Sequence, residues 1–365
     1  MNLITIDFET YYSKEYGLKK YTTEAYIRDP QFEVIGVAVK ENNKDTVWFS
    51  GSHEEIKSFL HSYDFENSFA LGHNMRFDGA ILSWIFDIKP KGLLDTMGMG
   101  TLLHGLTESV SLNNLSGLYG LGVKGTEVQD ALGKHRNQFS VNELHNYGLY
   151  CKNDVNLTHA LFYQLIPKYN KTELKLIDLT IRMFTEPAIQ LNKGLLVRHL
   201  ADVKATKEEL LDKVAVCKDE NFIHIANRGL LAVPLKYSGA VVSHRWSGVD
   251  GINLQNLPRS SELRRAMCAP KGYKLVAADL SNIELRLAYW FAQSTDKVNL
   301  IREGVDLYKQ SASDITGIAY DEVDKDLRFI FKVVNLSGIY GVGAVKMHSI
   351  LTQGGVDKDI NEVKT

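Results

Sequence analysis

Leu3-Ile4-Thr5-Ile6-Asp7-Phe8-Glu9-Thr10 is a β-type apolar run that closes on two carboxylates. Side chains at i and i+2 of a strand share a face, so Asp7 and Glu9 can share a cation while Phe8 turns into a core. Gly72-His73-Asn74-Met75-Arg76-Phe77-Asp78, at an expected strand-to-helix junction, adds a third acid. Tyr150-Cys151-Lys152-Asn153-Asp154 adds a fourth inside an expected helix. There Tyr150 and Asp154, at i and i+4, are neighbours on one face, which brings a carboxylate ligand together with a phenol able to orient a water. Four carboxylates can hold two divalent cations. A pair about 3.5–4 Å apart activates a water and neutralises the leaving oxygen of an in-line displacement. Hard oxygen ligands favour magnesium or manganese over zinc. The chemistry expected of such a cluster is phosphodiester hydrolysis.

The elements that must carry these groups are legible in the patterning. Strand-like runs at 3–8, 32–39, 45–50 and 69–73 interleave with helical periodicity at 53–62 and 77–87, the signature of a mixed α/β layer fold. Ser140 and Glu143 make a capping box for a helix running to about residue 163, and Pro167 closes it. The first domain is therefore expected over 1–167. From 170 to about 220 the pattern is helical with mixed charge, which assigns 168–230 as a helical connector or thumb-like region. A turn-rich stretch, a strand at 274–279 and further helices make up a third region, 231–365.

Bulk composition sets limits. With 365 residues, 44% of them hydrophobic, the chain can build two or three cores. Lys and Arg number 42 against 44 Asp and Glu, a formal net charge of -2, so nucleic-acid binding must be local rather than a general basic footprint. Cys151, Cys217 and Cys268 form neither a zinc pattern nor a disulfide framework, which suits a reducing cytoplasm. No apolar stretch approaches the roughly 18 residues of a membrane span, and no secretory leader opens the chain. A soluble, cytoplasmic protein without membrane partners is expected.

In the family's order, Asp-x-Glu, Asn-x-x-x-Asp and Tyr-x-x-x-Asp make residues 1–167 resemble the 3′-5′ proofreading exonucleases of the ribonuclease H-like fold. The subgroup is the one with three Asp, one Glu and a tyrosine. The resemblance implies that Asp7, Glu9 and Asp154 bind the nucleophile-side metal, that Asp7 bridges to the second, and that Asp78 acts largely through water. It also implies that Tyr150 positions the attacking water and that Asn74 touches the 3′ end of a single strand. His73 reads equally as a packed strand residue or a DNA contact.

A second constellation follows. Lys274-Leu275-Val276-Ala277-Ala278-Asp279 repeats the opening design, and Leu280-Ser281-Asn282-Ile283-Glu284-Leu285-Arg286 leads into a helix. Upstream stand Ser243-His244-Arg245-Trp246-Ser247 and Asn253-Leu254-Gln255-Asn256-Leu257-Pro258. Downstream, Arg328, Lys332 and Leu336 fall on one helix face, followed by Tyr340-Gly341. Two cations on one face can clamp a triphosphate.

In this order the segments resemble the palm and fingers motifs of family A DNA polymerases, phage-like in character. The resemblance implies that Asp279 binds both polymerase magnesium ions, that Glu284 excludes a ribose 2′-hydroxyl, and that Arg328 and Lys332 grip a deoxynucleoside triphosphate. Tyr340 would stack near the templating base, while Arg245, Gln255 and Asn256 would contact the DNA primer-template. Leu280, Asn282 and His244 replace the usual Tyr, Gln and Gly, and Leu336 stands where some members carry an aromatic that affects sugar discrimination.

The family's later His-Asp motif, which supplies a second metal-binding aspartate, does not occur in the 24 residues from Val342 to Thr365. The expectation is therefore a ribonuclease H-like exonuclease domain followed by a mainly helical, truncated palm and fingers. Each active site would take two Mg2+ or Mn2+ ions, and a C-terminal polymerase polypeptide would complete the palm. A DNA-binding subunit of a split polymerase and a free-standing ribonuclease H-like nuclease are the alternatives.

Overall fold

The computed structural model describes residues 2–125, 131–209, 229–251, 253–257, 261–280 and 282–353. Two compact units emerge, Met1–Leu275 and Val276–Thr365. The mixed α/β class expected from the patterning is the class observed.

The first unit is organised on a five-stranded sheet of order β3-β2-β1-β4-β5. Its strands are β1 (Leu3–Thr10), β2 (Val34–Glu41), β3 (Val47–Phe49), β4 (Phe69–Gly72) and β5 (Gly92–Asp95). β1 is central, antiparallel to β2 and parallel to β4. A central strand is covered on both faces, which is why Leu3, Ile4, Ile6 and Phe8 are all buried and the run is continuous rather than strictly alternating. The β1–β2 register pairs Asp7 with Ala38 and Glu9 with Gly36, then shifts between Glu9 and Thr10. Such an irregularity bends a strand and re-aims the side chains beside it.

Helices α1 (Thr23–Arg28), α2 (His53–His61), α3 (Met75–Ile85), α4 (Thr96–His104), α5 (Leu112–Leu118), α6 (Val141–Leu165), α7 (Lys171–Thr185) and α8 (Lys193–Glu209) follow in order. The capping box expected at Ser140 and Glu143 is present at the head of α6. Lys134 and the Ser140 amide bond the Glu143 carboxylate and lower it to about 2. The helix runs two residues past the expected end, into a 3-10 turn at Ile166–Lys168. Beyond α7, residues 189–191 form a short strand, β6, where the sequence reads as helix; it pairs with β7 (Leu230–Leu231) and β10 (Met267–Cys268). The helical reading of 210–220 lies outside the described residues.

One indole sets the spacing between α6 and the sheet. Trp48 of β3 lies where a Cβ on Gly36 would come within 2.3 Å of its ring and a Cβ on Gly148 within 2.4 Å. Both positions must therefore be glycine for strand and helix to close on the ring.

The hairpin β8 (Leu235–Ala240) and β9 (Arg245–Gly248) packs on α4 and α7. Trp246 Nε1 donates to Thr180 Oγ1 at 2.9 Å, and the Tyr237 hydroxyl donates to Glu173.

The second unit is helical, built from Ile283–Phe291, Thr295–Arg302, Leu307–Thr316, Lys325–Ile339 and Ala344–Gln353. Here one expectation fails: 274–279 is not a strand. The run is irregular and exposed, with Leu275 57% and Val276 89% accessible. A β-strand needs a partner for its backbone groups, and among the described residues no strand lies beside this one.

Gly148→Ala tests the indole spacing. Alanine is the better helix former by roughly 0.5–1 kcal/mol, but overpacking costs about 1–3 kcal/mol. The denaturation midpoint is expected to fall, and to recover when Trp48→Leu is added. A rise for the single variant would show that the ring moves aside freely.

Candidate active site

Three elements deliver four carboxylates. β1 presents Asp7 and Glu9, α3 presents Asp78, and α6 presents Asp154. Asp78 is held against β1 by the Phe8 backbone N–H, which donates to its Oδ1 at 3.1 Å. α3 can start where it does because Asn74 adopts a left-handed conformation, φ 76°. The Asn74 amide donates to Asp95 Oδ1 at 2.8 Å, and Asp95 also caps α4 through Met97 N at 3.0 Å. Asp95 thus fixes the turn that aims Asp78.

α6 contributes more than its acid. Tyr147 Oη donates to Glu9 Oε2 at 2.6 Å. Cys151 Sγ lies 3.4 Å from the Asp7 carbonyl and 3.5 Å from Asp7 Oδ2. Among the described residues, ligand atoms of Asp7, Glu9 and Cys151 all fall within 4.8 Å of one another. From the loop after α5, Lys124 Nζ reaches Asp154 Oδ2 at 2.5 Å and stands 5.2 Å from the Tyr150 ring centre.

Crowding shows in the protonation equilibria. Burial, then the Asp154 charge, raises Asp7 from 3.8 to about 7, while Lys124 and the Cys151 thiol pull the other way. Burial and Asp7 push Glu9 well above its ordinary value against the Tyr147 hydrogen bond. Asp78 is likewise raised by burial and by Asp7, against the Phe8 amide. Burial works against the Lys124 charge, yet Asp154 more than offsets it and the ammonium is held above its usual value. Buried like charges that raise one another are relieved by a cation. The donor set, mainly carboxylate oxygen, fits a hard divalent ion.

The structure therefore brings Asp7, Glu9, Asp78, Tyr150 and Asp154 to one place. Asn74 sits beside it, its backbone tied to Asp95 and its side chain half-buried. His73 is a packed residue, bonded to Thr96 Oγ1 at 2.9 Å and the Val110 carbonyl at 3.1 Å, with burial lowering it to about 4. Sequence reasoning missed Tyr147, Cys151, Lys124 and Asp95. Tyr147 was within reach, since 147, 150 and 154 share a helix face. Lys124 sits in a loop with no local signal.

The remaining sequence candidates lie elsewhere. In the first unit Arg245 is exposed on β9, and Gln255 and Asn256 are exposed on the 3-10 turn Leu254–Asn256. Four residues before that turn's first residue, Asp250 Oδ2 bonds Arg76 Nη1 of α3 at 2.9 Å, and Asp250 Oδ1 accepts from Thr23 Oγ1 at 3.2 Å. In the second unit Asp279 is exposed on the irregular run, and Glu284 is half-buried in the first turn of Ile283–Phe291. Arg328 and Lys332 lie one turn apart on Lys325–Ile339, with Tyr340 exposed at its end. Arg328 Nε donates to Asp306 Oδ2 at 2.6 Å, and its guanidinium lies 5.3 Å from the Tyr308 ring centre.

Comparison with known proteins gives two matches. Residues 21–170 match the family described as 3′-5′ exonuclease, and residues 195–358 match DNA polymerase family A. Asp78, Tyr150 and Asp154 fall inside the first match; Asp7 and Glu9 precede it. The chain is 38% identical over 96 residues to DNA polymerase I of Pseudomonas aeruginosa, covering 25% of the chain and 10% of that protein. It is 36% identical over 112 residues to the thermostable DNA polymerase I of Thermus thermophilus, covering 30% of the chain and 13% of that protein. The matched stretches thus span about a tenth of the relatives' length. In fold, it resembles the POL domain of Pol1 from M. smegmatis, solved in complex with DNA primer-template and dNTP. The TM-score is 0.61 at 16% identity, over 100% of this chain and 71% of that one. An exonuclease match over residues 21–170 thus stands ahead of a segment, residues 195–358, that matches DNA polymerase family A.

Proposed function

We propose that the Asp7 cluster is a 3′-5′ exonuclease site that hydrolyses the phosphodiester at a single-stranded DNA end, and that residues 195–358 serve template-directed synthesis in DNA replication or repair. The observation that carries the first half is the convergence of four carboxylates from β1, α3 and α6 on one spot. Asp7, Glu9, Asp78 and Asp154 would hold a pair of divalent cations, magnesium or manganese, with Asp7 between them. Such a pair, when bound, supplies Lewis acidity to the scissile phosphate and acidifies a water. The chain's own groups do the positioning. The Phe8 amide keeps Asp78 on β1, Asp95 keeps the α3 turn, and Tyr150 orients the attacking water while Asn74 meets the strand end.

For synthesis, Arg328 and Lys332 would take the triphosphate, Tyr340 the templating base, and Glu284 the space beside the sugar. Arg245, Gln255 and Asn256 would contact the primer-template. Asp279 would carry the metals together with an acid supplied by further polypeptide, in the same chain or a partner. Exposure of Val276, Trp290 and Phe291, at 89%, 63% and 74%, favours a segment packed over the second unit.

Asp7→Ala is expected to lower magnesium-dependent digestion of 3′-labelled single-stranded DNA by more than the roughly 100-fold that loss of an outer-shell partner costs. Asp279→Ala is expected to digest at the wild-type rate. Wild-type digestion by Asp7→Ala would overturn the assignment.

Metal-free stability follows from the raised Asp7. Folded Asp7 keeps its proton up to about 7, against an ordinary 3.8. The folded state binds the extra proton between those values, so this contribution is full below the lower one and is lost as pH rises through the upper. In EDTA, Asp7→Asn should therefore melt progressively higher than wild type as pH climbs from about 5 to 8, and magnesium should close the gap from the wild-type side. A constant difference across that window would mean that Asp7 does not titrate there.

A further inference from the structure

Tyr147 is not one of the residues that the Tyr-x-x-x-Asp spacing singles out, yet it makes the hydrogen bond to Glu9. Its hydroxyl donates to Glu9 Oε2 at 2.6 Å, across 138 residues of sequence, with Tyr147 3% and Glu9 8% exposed. The ring is clamped. It stacks on Phe139 with centroids 5.6 Å apart and planes 6° apart, stacks on Tyr150 at 6.3 Å, and meets Trp48 edge-on at 6.4 Å. The next residue, Gly148, lies directly under the Trp48 ring. A phenol fixed on three sides can hold a carboxylate in one rotamer, whereas a surface tyrosine would follow the carboxylate's motion.

Two tyrosines on one helix face thus have different surroundings. The Tyr150 ring faces Lys124, while Tyr147 turns to the strand. The Tyr147 donor is neutral, so it fixes Glu9 without cancelling the charge a cation would need. It engages one carboxylate oxygen and leaves the other for a ligand. Carboxylates that bind metals are commonly held in this way by an outer partner, and loss of that partner costs about 10–100-fold in affinity or rate.

We infer that Tyr147 is a positioning residue of the hydrolytic site: it sets the Glu9 carboxylate in the orientation that receives a divalent cation, and acts on catalysis only through Glu9. The inference rests on the reading of the Asp7 cluster as the exonuclease site.

The test uses the purified full chain and Mn2+ alone, with bound ion measured from the electron paramagnetic resonance of the free ion. Tyr147→Phe keeps the ring contacts and is expected to bind Mn2+ about tenfold more weakly, within the range for outer partners. On single-stranded DNA its kcat should fall at limiting Mn2+ and return towards the wild-type value at saturating Mn2+, a rescue that a general loss of folding would not produce. On a Glu9→Gln background, adding Tyr147→Phe should weaken Mn2+ binding no further. Wild-type Mn2+ affinity in Tyr147→Phe, or full additivity with Glu9→Gln, would overturn the role of Tyr147. Asp7→Ala separates the two levels: if it loses Mn2+ binding, the cluster stands whatever Tyr147 does, and if it binds as wild type does, the site reading and this inference fall together.

Discussion

Four acids are packed where water is scarce, and the fold of the first unit has to hold them there against their mutual repulsion. Asp7 and Glu9 gain this position because β1 is the central strand: β2 pairs with both residues, and β4 anchors the strand just before them, at Leu3 to Thr5. Asp78 and Asp154 are carried by separate helices and must be braced individually, the one by the Phe8 amide and the Asp95-bound turn, the other by Lys124. Asp7, Glu9 and Asp78 are all pushed towards their protonated forms by burial and by neighbouring carboxylates. A site poised in this way trades stability of the empty protein for affinity toward a cation.

The elements that carry the acids were readable because each is announced locally. β1 is an apolar run with nothing to interrupt it, and α6 opens with Ser140 and Glu143 in a capping box that the structure retains. The tighter details were not readable, since they arise from contacts between distant positions. Nothing around Lys124 marks it as the ammonium that meets Asp154, and nothing around Gly148 announces that an indole from β3 will lie over it. The helices α4 and α5 and strand β5 also escaped, being short and poor in periodic contrast.

Residues 274–279 teach the complementary point. Their apolar pattern resembles that of β1, yet one run is a central strand and the other is exposed and irregular. The difference lies outside the segments: β1 has β2 and β4 to satisfy its amides and carbonyls, while the described residues offer 274–279 no such neighbour. In the second unit the groups best fixed by their own surroundings are instead those tied within the helical layer. Arg328 on Asp306 and Asp306 on the head of Leu307–Thr316 are the clearest of these.

The ion pair between Arg76 and Asp250 bears on how far the exonuclease part can be treated as a cassette. Arg76 is two residues from Asp78, and the pair is mostly enclosed, with the Arg76 and Asp250 side chains 17% and 14% exposed. A cut after Pro167 would look natural on the sequence, but it would leave a guanidinium facing an empty seat beside the very helix that delivers an active-site acid. It would also remove α7, whose Asp178 bonds the Leu93 amide of β5. The piece that keeps these contacts is thus longer than the matched exonuclease stretch. A transplant of this nuclease into another protein would need to carry the β8–β9 hairpin and the Asp250 loop along with it.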